Sequence, residues 1–362
     1  MRISLLITCV FILKSVPSMC LRMYPKRLVF CGGGTRCLVF LQTLVDLEAR
    51  ERLRNVRECW GTSAGALIAA LYALTKSAVA VKHAMQQLQF TKFLDIELHN
   101  LINIHKVWGT DNGHSMVAEL ERVFELIRPG SAALCLRDVP GLNVVVADLN
   151  DHKTIVCNSE TYGDLRIIEA LRASMGLPIF FCPYVEKTSG HYWVDGGVRD
   201  NFGWNLLPDD AARSEALGFL IDKGWSSHGP KSFTDYLFSI IHFDEPGKIR
   251  AWKESWTSNI IIYDCPPYPA WFARLREDDW RMVEGMGATA AVGWLSLHPA
   301  SDSGTPGSPR TSAPHCTPPS SSPAGQTDAT SGIPLLHLPS PPPAFAPPPP
   351  SYTQPASRRW SV

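Results

Sequence analysis

Residues 56–74 read Val56-Arg57-Glu58-Cys59-Trp60-Gly61-Thr62-Ser63-Ala64-Gly65-Ala66-Leu67-Ile68-Ala69-Ala70-Leu71-Tyr72-Ala73-Leu74. Val56 to Trp60 has strand character. Ala66 to Leu74 is an almost wholly apolar run of helix formers, so a buried helix follows the strand directly. Between them Gly61-Thr62-Ser63-Ala64-Gly65 puts a serine on a sharp strand-to-helix turn, which presents its hydroxyl as a nucleophile. Gly61 and Gly65 remove the side chains that would hold the two backbones apart. The helix N-terminus directs N–H groups and partial positive charge at whatever Ser63 attacks. A Gly/Ser turn without chemistry has the same five residues, and the strand and helix around it favour the nucleophile.

Working outward, strand-like and helix-like patterns alternate from Lys26 to about Leu297, the signature of an α/β domain. Arg27 to Cys31 predicts a first strand, ending in Gly32-Gly33-Gly34, and Leu38 to Arg52 a helix. Further helices are expected over 78–90 and 115–127, and strands over 142–148 and 154–157. Arg166 to Met175 reads as a helix with Asp164 as its N-cap, stopping before Pro178. Strands over 180–185 and 192–194 flank a Lys187-Thr188-Ser189-Gly190 turn, and Ala216 to Ile221 is the last central strand expected. The domain divides into a core over 26–220 and a continuation over 221–297. After His298 the composition turns to Pro, Ser, Thr and Ala, with more than half of the 29 prolines. Residues 298–362 are expected to form a disordered, partly polyproline II tail, a solvated extension with a protein partner as the alternative.

Three segments carry the chemistry. Gly32-Gly33-Gly34-Thr35-Arg36 follows a strand and opens a helix, so successive N–H groups can point into one concavity. No Gly-Lys-Ser/Thr continues it and Cys37 stands where a nucleotide fingerprint has glycine, so an oxyanion hole fits better than a phosphate site. Its donors are expected from about Gly33, Gly34 and Thr35. The second segment holds Ser63, whose hydroxyl needs a base. The third is Asp195-Gly196-Gly197, a carboxylate at the end of the Tyr192-Trp193-Val194 strand, released by two glycines toward a neighbouring strand. A Ser63–Asp195 dyad is expected, with His191, His228, His242 and His298 as the histidine alternatives.

These motifs in this order resemble the patatin-like phospholipases: a glycine-rich oxyanion loop, a Gly-x-Ser-x-Gly turn and a distant Asp-Gly-Gly. Ala170-Leu171-Arg172-Ala173-Ser174-Met175-Gly176-Leu177-Pro178 and Val198-Arg199-Asp200-Asn201 are similar to the segments around the family's aspartate. The resemblance spans about residues 26–220. It departs at Cys37, where glycine usually closes the first motif, and at Gly203, where proline often stands. It implies a three-layer α/β/α domain, a Ser–Asp dyad without metal or cofactor, and hydrolysis of acyl esters in phospholipids or other lipids at a transient membrane surface. The alternatives are a catalytically silent lipid- or partner-binding relative and an acylglycerol lipase or acyltransferase.

Lys+Arg and Asp+Glu each total 34, so net charge is zero and no basic run points to nucleic acid. The 10 cysteines form no CxxC framework. Cys31, Cys59, Cys157 and Cys182 lie in apolar runs, as buried free thiols in a reducing compartment do. Within 1–22, the apolar stretch Ile3–Leu13 followed by Lys14-Ser15-Val16-Pro17-Ser18 reads as a secretory signal, an anchor or a non-native start. Localisation is thus cytoplasmic or membrane-associated, or secreted if that stretch is a signal. Arg36 is a candidate for a lipid phosphate. Trp252, Trp256 and Tyr268-Pro269-Ala270-Trp271-Phe272 are candidates for interfacial contact, with core packing the expectation for most.

Overall fold

The computed structural model describes residues 24–222, 236, 239–241, 245–265 and 275–299. The apolar N-terminal stretch, His228, His242, the 268–272 aromatic run and the proline-rich tail from 300 onward lie outside them, whereas His298, expected to open that tail, is buried against Trp294. By its internal contacts the chain divides after Ser303, and the second unit, Gly304–Val362, is also outside the described residues. Among the described residues no helix is long and apolar enough to cross a membrane.

The fold is a mixed α/β sheet flanked by helices. Its strands are β1 (Arg27–Phe30), β2 (Glu58–Thr62), β4 (Leu142–Asp148), β5 (Lys153–Cys157), β7 (Tyr184–Val185), β8 (Tyr192–Asp195), β9 (Ala216–Asp222) and β10 (Ile260–Asp264). They run in the order β10-β9-β1-β2-β4-β8-β7, with β5 also on β4. β10, β9, β1, β2 and β4 are mutually parallel. The parallel strands are buried along nearly their whole length, which explains their unbroken apolar runs. β3 (Gly109–Asp111) and β6 (Ile179–Phe181) form a separate two-stranded ribbon.

The helices are α1 (Val39–Ala49), α2 (Ala64–Thr75), α3 (Ala78–Gln87), α4 (Leu98–Ile102), α5 (Ile104–Val107), α6 (His114–Ile127), α7 (Ile167–Ser174), α8 (Asp210–Ser214), α9 (Glu245–Ser255) and α10 (Glu277–Leu297). Every residue from Ala64 to Ala73 of α2 is buried, so burial of Leu67, Ile68 and Leu71 contributes about 1.5–3 kcal/mol each. Phe30, Phe40, Phe219 and Tyr263 pack as an aromatic cluster, with the Phe30 and Phe219 rings 4.8 Å apart. The 221–297 stretch extends this core. β10 pairs with β9, and α10 packs on α1, where the buried Thr43 Oγ1 donates to Gly287 O at 2.8 Å.

Several sequence expectations shift. The helix expected over 38–52 begins as a 3-10 turn, Gly34–Leu38, and the α-helix proper ends at Ala49. Asp164 does not cap α7. Arg166 holds the N-cap position without a side-chain bond, and Asp164 pairs with Arg137 instead. β9 is not the last strand, because Ile260–Asp264 forms β10 beside it. Cys31, Cys59 and Cys157 are buried free thiols, but Cys182 is half-buried. Trp252 is buried against Phe202, and Trp256 lies edge-on to Trp204 at 5.8 Å, so both serve packing rather than an interface.

Candidate active site

Ser63 stands between the end of β2 and the first residue of α2, with φ 54° and ψ −129°. A side-chain-bearing residue reaches these torsions at a cost of about 1–3 kcal/mol, and only where its surroundings hold it. The holding is visible. A Cβ on Gly61 would overlap the Gly65 carbonyl and the Ala66 backbone, and one on Gly65 would overlap the carbonyls of Phe30 and Cys31. The two glycines therefore let α2 start directly against β1 and β2. The Ser63 N–H donates to Ser174 Oγ at 2.9 Å, and Ser174 Oγ donates onward to Val145 O at 2.6 Å.

Asp195 reaches Ser63 by a route that the strand-end argument did not anticipate. β8 is antiparallel to β4, so Asp195 arrives at the end of β2 from the opposite direction. β2 pairs with β4 only as far as Thr62 opposite Val145. β8 then pairs with Val146 to Asp148, with Asp195 opposite Val146. The other edge of β4 is taken by β5 over the same residues. β2 and β8 thus share one edge of β4 and meet end to end, which brings Ser63 and Asp195 face to face. Ser63 Oγ donates to Asp195 Oδ2 at 2.7 Å, while the Gly197 N–H donates to Oδ1 at 2.8 Å. Ser63 is 8 % exposed and Asp195 5 %. A Cβ on Gly196 would overlap Val145 O, so this glycine is needed for the close approach.

The glycine loop closes the third side. The Gly32 N–H donates to Asn201 O at 2.8 Å, and Asn201 Nδ2 donates to Gly32 O at 3.2 Å and to the buried Glu245 Oε1 at 2.7 Å. The Arg36 N–H is spent on Gly33 O at 3.2 Å. Among the described residues the N–H groups of Gly33 and Gly34 take no acceptor, and Gly34 and Thr35 line the same crevice as Ser63. Of the Gly32–Arg36 segment, then, Gly32 and Arg36 use their amides to shape the loop, and Gly33 and Gly34 have amides to offer. The Arg36 side chain makes no ion pair among the described residues. Both family departures are accommodated locally. Cys37 is buried with Sγ donating to Cys31 O at 3.4 Å. Gly203 has φ 68° and donates its N–H to Asp200 Oδ1 at 2.7 Å, and a proline could supply neither.

Behind Ser63 and Asp195 the crevice is walled by Leu67, Met85, Phe90, Phe93, Met116, Met175, Leu177 and Phe181. Its free volume is only about 40 Å³. His191 is engaged elsewhere, with Nδ1 at 2.9 Å from Asp148 Oδ2, and His298 is stacked on Trp294. Burial would raise the Asp148 carboxyl, but His191 and the N–H groups of Asp151 and Asn150 hold it below its ordinary value. One described group of possible metal ligands comes together, Asp148, Asp151 and His191. It lies at the β4–β5 turn, and the Asp148 oxygens already accept from Asn150, Asp151 and His191. Residue-by-residue reading gave no role to Ser174 or Glu245. Ser174 lies within a segment quoted for the family resemblance, whereas nothing near Glu245 marks it.

Comparison with known proteins bears on the family and the fold. The family model described as patatin-like phospholipase matches residues 28–207. The chain is 25% identical over 195 residues to the probable lipid hydrolase 463L of Invertebrate iridescent virus 6, covering 52% of this chain and 63% of that protein. It is 28% identical over 192 residues to the uncharacterized protein YqhO of Bacillus subtilis, covering 48% and 64%. The chain thus spans a little under two thirds of the length of these curated relatives. In fold it is similar to VipD from Legionella pneumophila, with TM-score 0.50 and 16% identity over 76% of this chain and 67% of that one. Through residues 28–207 the chain belongs to the patatin-like phospholipase family.

Proposed function

We propose that this protein is a lipid acyl hydrolase of the phospholipase A type, acting through a Ser63–Asp195 dyad and an acyl-enzyme. The observation that carries the reading is the 2.7 Å bond from Ser63 Oγ to Asp195 Oδ2 at the floor of an apolar crevice. As Oγ attacks the acyl carbonyl carbon, Asp195 accepts the hydroxyl proton. The tetrahedral oxyanion lies toward the Gly33 and Gly34 amides, with the α2 N-terminus adding positive potential. Collapse breaks the ester C–O bond, the leaving alcohol takes the proton from Asp195, and the acyl group stays on Ser63. Water attacks next, giving its proton to Asp195. Release of the fatty acid returns that proton to Ser63. The apolar walls suit a hydrocarbon chain and offer little to a polar acyl donor.

Ser63→Ala and Asp195→Asn each remove one partner with little change in volume. Each is expected to lower hydrolysis of a fatty-acyl ester by about 1,000-fold or more. A fluorophosphonate should label wild type at Ser63 alone. Ester turnover persisting in Ser63→Ala would sink the dyad. No labelling at Ser63 and no lipid turnover would instead favour the silent-relative reading.

A further inference from the structure

Helix α4 is amphipathic in the wrong sense for water. Leu98, Leu101 and Ile102 fall three and four residues apart, so they share one face. That face points outward: Leu98 is 70% exposed and Ile102 68%, while the residue turned into the protein is Asn100, at 3%. A helix of a water-soluble surface does the opposite. Ile96 on one side and Trp108 on the other, both more than half exposed, extend the patch. Trp108 stands edge-on to Tyr192 at 5.2 Å, three residues before Asp195. A tryptophan with one apolar side and one wet side is the residue that membrane–water boundaries select.

The patch is joined to the crevice walls along the chain and through the β3–β6 ribbon. The chain enters it from Phe90 and Phe93, which wall the crevice, and leaves it through β3. β3 pairs with β6, whose Phe181 is another wall residue. The Glu97 N–H donates to Thr110 O at 2.9 Å, tying the patch to that ribbon. Charge is arranged to match. Lys92 and Lys106 are exposed and make no ion pair among the described residues. Glu97 is half-buried and turns its carboxylate to the Asn112 side chain at 2.9 Å and 3.0 Å, so Asp95 is the one fully exposed acid between the two lysines.

We propose that α4 with Ile96 and Trp108 is the face by which the enzyme docks on an anionic phospholipid bilayer, its apolar side chains entering the acyl region and Lys92 and Lys106 meeting headgroups. The proposal rests on the lipid-hydrolase reading and names its membrane partner. It also accounts for a nucleophile 8 % exposed in a crevice of about 40 Å³. A fatty-acyl chain enters from the apolar phase at the docked mouth, displacing flexible wall side chains such as Met85 and Met116.

The test uses the full chain, Leu98→Ser/Ile102→Ser and Lys106→Glu, all surface changes checked for an unaltered unfolding midpoint. Binding is read by sedimentation with phosphatidylcholine vesicles, with and without phosphatidylserine, and catalysis with a water-soluble short-chain ester. Wild type should bind, better with phosphatidylserine. The double variant should lose binding and vesicle-lipid hydrolysis by roughly tenfold or more while short-chain ester turnover stays. Lys106→Glu should lose the phosphatidylserine preference. Equal vesicle binding by wild type and the double variant, or none by wild type, overturns the proposal. So does a wild-type dimer that the double variant dissolves, which would make a second copy the occupant. Vesicle binding that the double variant loses, with no esterase activity in wild type, supports docking and overturns the hydrolase reading alone.

Discussion

Ser63 holds torsions that an L-residue tolerates only under constraint, and the constraint runs through one hydroxyl. Ser174 Oγ accepts the Ser63 N–H and donates to Val145 O, so it fixes Ser63 against the strand on which Asp195 also registers. Ser174→Ala leaves a buried N–H and C=O without partners, at about 1–3 kcal/mol. We expect kcat on a soluble ester to fall by about tenfold or more with KM little changed, and fluorophosphonate labelling of Ser63 to slow in parallel. A wild-type labelling rate would show that the glycines alone fix the turn. The glycines around Ser63 were legible because their steric demand is local. Ser174 and Glu245 were not, because each meets its partner only after distant segments pack, 111 residues apart for Ser63 and Ser174.

At the level of elements, the apolar runs of β4, β9 and α2 announced themselves, since burial on both faces leaves an unbroken hydrophobic signature. Strand direction did not: nothing in Tyr192-Trp193-Val194-Asp195 says that β8 runs against β4. The outward apolar face of α4 was missed for another reason, because reading periodicity presumes that apolar means inside. One junction has a pH signature. His191 and Asp148 tie the start of β8 to the end of β4. The Asp148 carboxylate raises the His191 imidazole above its ordinary value, and Asp148 itself is lowered. The raised histidine stabilises the fold fully below about pH 6.5, and that contribution is lost as pH rises through its folded value. The lowered aspartate acts in reverse, and its contribution is lost as pH falls below about 3.9. Thermal unfolding midpoints of wild type and His191→Gln should therefore differ most between these limits and converge at alkaline pH. A gap that widens above neutrality would contradict the pairing.

Across the described residues, one core joins the Ser63 side of the sheet to the C-terminal stretch, with Tyr263 O–H donating to Thr43 Oγ1 at 2.8 Å. That burial also silences the thiols. Cys59 is pushed up to about 12 and Cys265 to about 11 by desolvation, and Cys157 is raised as well. An alkylating reagent at neutral pH should leave ester hydrolysis intact and reach these three only after unfolding, as read by peptide mapping. Loss of activity on alkylating the native protein would point to a thiol in the chemistry. The end-to-end meeting of β2 and β8 has a temporal side. Ser63 and Asp195 are synthesised 132 positions apart. A contact of that separation closes late, because chain entropy opposes it until the intervening elements condense. On the proposed dyad, a nascent or half-refolded chain would carry a serine with no base, and ester cleavage would begin only once β2 and β8 meet. Recovery of turnover after denaturation is then a direct clock for closure of the native sheet.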